Sequence, residues 1–203
     1  TISTKLNDKQ LDRVFSAFIY ELKSTNQWVR ESCSKSLGII ATKASEKQLE
    51  EVINALMSGL KDEDKYVRVS CAKSLGIISE KLNEKQLDNA INTLIDGFKD
   101  KDENVRESCA KSLGVISANL ADKQLEGVFN ALPKGQIWAY FDSYEKALKE
   151  ISTEWNEKQS NALIFVFKHS INTNNYKDKN YLLMRLLELI STKLNDKQLY
   201  LLV

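Results

Sequence analysis

Three cysteines, Cys33, Cys71 and Cys109, recur at a spacing of 38 residues. A periodic thiol array could ligate a soft metal or carry redox chemistry, so the first question is whether these groups can meet. Each sits in the same string: Val29-Arg30-Glu31-Ser32-Cys33, Val67-Arg68-Val69-Ser70-Cys71 and Val105-Arg106-Glu107-Ser108-Cys109. If each string is a helix and the helices stack, equivalent positions lie about 8–10 Å apart, beyond the reach of a disulfide. Buried thiols are therefore expected, and their reduced state fits a cytoplasmic location. The single histidine, His169, has no second histidine with which to share a metal and no nucleophile at a telling spacing. The strings GxGxxG, GxxxxGK[ST], HExxH and GxSxG are absent. No catalytic residue, metal ligand or cofactor is expected.

A second periodic feature is a cation two residues after the cysteine position: Lys35, Lys73, Lys111, Lys146 and Arg185. Two helical steps turn a side chain about 200° from the buried position, so these residues face away from the core. Glu31, Glu107 and Asp142 precede three of them by four residues, an ordinary surface pairing that explains those three without any partner. Lys73 and Arg185 escape it, with Val69 and Tyr181 in the acidic position. Unpaired cations beside apolar or aromatic groups have the mixed character of a protein-binding surface. Ile137, Trp138, Tyr140, Phe141 and Tyr144 form a further cluster, which serves either as exposed anchors or as refilled core.

The elements that must position these groups follow from a second string. The triplet KQL begins at Lys9, Lys47, Lys85, Lys123 and Lys197, with KQS at Lys158, and spaces the chain into units of about 38 residues. Asn7, Ser45, Asn83, Asn156 and Asn195 each stand three residues before a glutamine, the capping-box spacing of a helix start. Leu11, Val14, Phe15, Phe18, Ile19 and Leu22 then trace one broad helical face, repeated by Leu49, Val52, Ile53, Leu56, Met57 and Leu60. A second helix begins near Asn26, Asp64 or Asp102 and carries Val29, Cys33, Leu37 and Ile40 or their equivalents. Gly38, Gly76 and Gly114 lie inside it, each costing about 1 kcal/mol relative to alanine, which close approach of the next unit would offset. Neither helix buries its stripe alone, so the units must stack.

The stretch Leu60 to Arg68, running on through Cys71-Ala72-Lys73-Ser74-Leu75-Gly76-Ile77-Ile78, resembles a HEAT repeat. The resemblance implies an all-α, right-handed α-solenoid of five helix pairs and a terminal partial helix. The units run approximately over 5–42, 43–80, 81–118, 119–153 and 154–192, with a remnant at 193–203. It also implies a ladder of turn aspartates and later arginines, carried here by Asp62 with Arg68 and Asp100 with Arg106. Ser24 stands at the aspartate position of the first unit, and units four and five depart further, with Pro133, Tyr140-Phe141 and Lys179-Asn180 breaking the pattern. In this family the second helices line the concave face, which would set the basic residues in a row along it.

With 29 basic and 28 acidic residues, the chain has no bulk field to draw it to nucleic acid or anionic membrane. No apolar run is long enough to span a bilayer. The expected function is a non-enzymatic scaffold binding a protein or peptide segment along the second helices. The rivals are a nucleic-acid-processing or other enzyme on the same scaffold, and a ligand-free spacer; a secreted effector acting in a host cytosol is a second localisation. Ile2–Leu11 and Ile190–Leu199 share the same ten letters, so both ends fall at one phase of the array, and flanking repeats or end-to-end self-association are expected.

Overall fold

The structure, a computed structural model, describes residues 7–117 together with two helical positions, Met184 and Glu188. Units four and five and the terminal partial helix lie outside the described residues. Within them the chain forms α1 (Asp8–Glu21), α2 (Gln27–Ile40), α3 (Glu46–Gly59), α4 (Lys65–Ile78), α5 (Glu84–Asp96) and α6 (Glu103–Ser117), with no strand. These are three hairpins, α1 with α2, α3 with α4 and α5 with α6.

The starts of the first helices are fixed as their sequences imply. The Asn7, Ser45 and Asn83 side chains accept from the amides of Gln10, Gln48 and Gln86, whose own Oε1 atoms accept from the cap amides. Asn26 and Asp64 likewise cap α2 and α4, and Asp102 accepts from the Asn104 amide at the start of α6. The second and third of these glutamines do more than cap. Gln48 Nε2 donates to Asp12 and Gln86 Nε2 donates to Glu50, both at 2.5 Å, so each capping residue also ties its unit to the one before.

Stacking completes the core. Val14, Phe18 and Val29 of the first hairpin are only half-buried, whereas their equivalents Val52, Leu56 and Val67 in the second are fully covered. One continuous cluster runs from Leu11 and Phe15 through Leu56, Leu75 and Phe98 to Ile116. The second helices approach one another far more closely than the first helices do. At Gly38 a Cβ would lie 2.6 Å from Ser74 Cβ and 2.9 Å from its Cα; at Gly76 it would lie 3.0 Å from Ser112 Cβ. Ser74 Oγ donates to the Ser34 carbonyl across the same contact, at 2.8 Å. Two parallel layers of unequal spacing curve toward the tighter one, which places α2, α4 and α6 on the inner side.

The charged ladder begins one unit earlier than the sequence pattern indicates. Arg30 Nε and NH2 donate to both carboxylate oxygens of Asp62, at 2.8 and 2.9 Å, and Arg68 does the same to Asp100, at 2.7 and 2.9 Å. Both arginines thus reach the aspartate of the following unit, and not the side chain of the residue six positions before. The latter contributes its backbone carbonyl: Arg68 NH1 donates to Asp62 O, Arg106 NH1 to Asp100 O and Arg30 NH1 to Ser24 O, all within 2.9 Å. A backbone acceptor does not depend on residue type, so Ser24 suffices for the first unit.

Two outcomes test this packing. Gly38→Ala should lower stability in urea unfolding by about 1–3 kcal/mol, because Ser74 backbone stands in the way. Gly76→Ala should be much milder, since its contacts are looser and alanine regains about 1 kcal/mol of helix propensity. The second test is acid. Burial by itself raises the Asp62 pKa, but hydrogen bonds from Arg30, the Asp64 amide and the charges of Arg30 and Arg68 outweigh it and hold the group below its ordinary range. A carboxylate depressed in this way stabilises the fold above its unfolded pKa and loses that contribution as pH falls through the folded value. Stability should therefore drop below about pH 4. Asp62→Asn should cost about 3 kcal/mol at neutral pH, by stranding buried Arg30, and should flatten the acid limb of the stability profile measured by urea unfolding.

Candidate functional site

Along a second helix, positions seven and then four residues apart return to within about 20° of the same direction. Trp28, Lys35 and Ile39 therefore share one heading on α2, as do Tyr66, Lys73 and Ile77 on α4 and Asn104, Lys111 and Val115 on α6. The structure leaves this whole face open. Trp28 and Tyr66 are 69% and 54% exposed, Ile39, Ile77 and Val115 are 58%, 51% and 55% exposed, and Asn104 and the three lysines are exposed as well. Because the inner helices stack in register at the glycine contacts, the face forms three parallel rows. A basic row runs between one that begins with aromatics and one that is aliphatic throughout.

The lysines differ in what answers their charge. Lys35 Nζ lies 2.5 Å from Glu31, and Lys111 Nζ lies 3.0 Å from Glu107. Lys73, with Val69 four residues earlier, makes no ion pair or side-chain hydrogen bond among the described residues. Lys65 Nζ instead pairs with Asp102 of the next unit at 3.1 Å and lies 5.3 Å from the Tyr66 ring centre.

Val69 departs from its expected place at the surface. It is half-buried and packs against the core, because its position is turned about 60° from the open heading. The exposed apolar neighbours of Lys73 on its own helix are Tyr66 and Ile77. These residues, with Trp28, Ile39 and Val115, were missed by the sequence reading, although the signal was there: Ile39, Ile77 and Val115 keep the 38-residue beat. Each is followed directly by a core residue, Ile40, Ile78 or Ile116, and a pair of adjacent aliphatics conceals which member faces outward. Lys146, Tyr181, Arg185, Trp138, Tyr140 and Tyr144 lie outside the described residues.

The remaining chemistry is confined to the interior. Burial pushes the Cys71 and Cys109 thiols up to about 12, despite the hydrogen bond that Cys71 donates to Ser34, so neither ionises near neutrality. All three cysteines are free. Gly59 and Gly97 press against the sulfurs of Cys71 and Cys109, which leaves room for little else there. Among the described residues no cluster of histidine, cysteine or carboxylate groups could hold a metal ion, and no helix is long and apolar enough to cross a membrane. Arg30 pairs with Asp62 and Arg68 with Asp100 between units, whereas the side-chain pairs expected from the resemblance were Asp62 with Arg68 and Asp100 with Arg106; there the arginines meet the backbone carbonyls of Asp62 and Asp100.

Residues 53–133 match the family described as HEAT repeats. Among solved structures, a designed armadillo repeat protein is 18% identical, with a TM-score of 0.61 over 93% of this chain and 86% of its own. An engineered protein from a structural genomics programme is likewise 18% identical, with a TM-score of 0.59 over 97% of this chain and 86% of its own. A designed armadillo repeat protein in complex with the peptide (KR)4 is 15% identical, with a TM-score of 0.53 over 91% of this chain and 87% of its own. No curated protein sequence matches the chain. Two helical layers, an arginine–aspartate ladder between units and these likenesses agree: the chain has the fold of an armadillo- and HEAT-like repeat solenoid, and the match to the HEAT-repeat family covers its residues 53–133.

Proposed function

We propose that the chain is a non-catalytic scaffold that binds a segment of another protein along the face of its second helices. One observation carries this reading: exposed large apolar side chains flank the lysine on both sides on α2 and α4 and on one side on α6, on three consecutive inner helices. Single exposed hydrophobics are ordinary on a protein surface, but a contiguous set held on a rigid layer marks an interaction site. Aromatic anchors beside long cations are the composition that concentrates binding energy in protein interfaces. The Cys71 and Cys109 thiols are buried and un-ionised, and a chain with one net positive charge lacks the field that nucleic-acid binding draws upon. The designed armadillo protein of similar fold, which is in complex with the peptide (KR)4, supports the kind of partner.

The test is selection of displayed random peptides on the full chain, followed by anisotropy titration of the enriched sequences. The double variant Lys73→Glu with Ile77→Asp should weaken their binding at least about tenfold, while its melting temperature moves by no more than a degree or two, as for exposed positions away from core features. Undiminished binding to that variant would remove the second-helix face from the site.

A further inference from the structure

We infer that the segment recognised on this face is acidic and apolar, with a carboxylate seated on Lys73 between side chains that cover Tyr66 on one side and Ile77 on the other. This rests on the binding face proposed above and adds the sign of its partner. The chain as a whole cannot set that sign, because 29 cations nearly balance 28 anions. The choice falls to local charge. On the three-row face, the charges of Lys35 and Lys111 are already answered by Glu31 and Glu107 within 3.0 Å, and the neighbouring Lys65 is held by Asp102. Lys73 alone of these four has no anion beside it, and it stands on α4, the middle of the three described second helices, where a partner spanning α2 to α6 must cross.

The local environment favours an incoming carboxylate over water. Val69, packed against the core, takes the place of the glutamate that the first and third units carry there, and exposed Tyr66 and Ile77 bracket the ammonium along the helix. Apolar side chains settling on those two groups would exclude water around the charge, and a charge-assisted hydrogen bond strengthens as its surroundings dry. A basic partner would meet the reverse: its first cation would be brought against Lys73, a like-charge contact in a desolvating interface. The preference is therefore opposite to the lysine–arginine peptide held by the designed armadillo neighbour.

Three fluorescein-labelled peptides of equal length test this on the full chain: repeats of Leu-Glu-Ser, Leu-Gln-Ser and Leu-Lys-Ser, titrated by anisotropy. The glutamate peptide should bind about five- to tenfold more tightly than the glutamine peptide, lose that advantage in high salt, and bind more tightly than the lysine peptide by a wider margin. Lys73→Glu should invert the order of the charged peptides, whereas Lys35→Glu should change it far less. Ile77→Asp should weaken the glutamine peptide as well. Equal affinity for the three peptides, or a preference for lysine, would overturn the acidic assignment. If that result came with binding still sensitive to Ile77→Asp, the scaffold reading would stand alone. If none of the three bound, the acidic assignment would fail, and the display selection would decide the scaffold reading separately.

Discussion

The close approach of the second helices governs this molecule. A helical hairpin of this kind covers its apolar stripes only in part, and the exposed remainder is buried by the next hairpin. How near that hairpin comes is set at a few positions. Gly38 lies against Ser74, and Gly76 against Ser112, so in each pair the absence of a side chain on one helix admits the small side chain of the other. The first helices lack this device and stand farther apart. From that inequality follow the curvature, the assignment of an inner layer, and the alignment of side chains from separate helices into rows. The lysine and isoleucine rows are a geometric consequence of where the glycines lie.

Hydrophobic stacking alone would tolerate sliding, since one aliphatic stripe packs acceptably against another in several offsets. The polar contacts between units do not. A guanidinium that grips both oxygens of one carboxylate, and whose remaining nitrogen is taken up by a turn carbonyl, is satisfied in one register only. Because Arg30 and Arg68 are buried, a slipped arrangement would leave a desolvated charge without its partner, a cost of several kcal/mol. The Gln48–Asp12 and Gln86–Glu50 bonds repeat the constraint on the outer layer. Two polar ladders, one between the turns and one between the first helices, hold the spacing that the glycines permit.

What could be read from the sequence divides along a physical line. Features whose partners lie within one helix were legible: the capping boxes of Asn7, Ser45 and Asn83, the buried stripes and the second-helix caps all follow from spacings of two to four residues. The crowding at Gly38 and Gly76 was also legible, because a helix-interior glycine is unfavourable unless something lies against it. Contacts between units were harder. The Ser24 position seemed to break the ladder only because a pattern written within one repeat conceals that Arg30 pairs with the carboxylate of the next. Gln48 and Gln86 were fully explained by capping, so nothing in the spacing revealed their second bond. Val69 was placed outside because its position holds glutamate in the neighbouring units, yet a glutamate can extend from a half-buried backbone position to water while a valine there settles inward.

Repetition itself explains why the candidate site concentrates on the second unit, the middle one of the three described. Where every unit carries the same residue, an array offers a partner only a uniform row, and uniform rows confer little discrimination between ligands. Discrimination enters where one unit departs from its neighbours while the backbone keeps its spacing. Between Glu31 and Glu107 the sequence places Val69, a single change that leaves the helix and its packing intact but removes one anion from an otherwise alternating surface. The cation it leaves behind stands between Lys35 and Lys111, each answered by a glutamate of its own helix, at a position fixed by the glycine contacts on both sides. A rigid frame built from near-identical parts thereby converts one substitution into a defined point of electrostatic contrast.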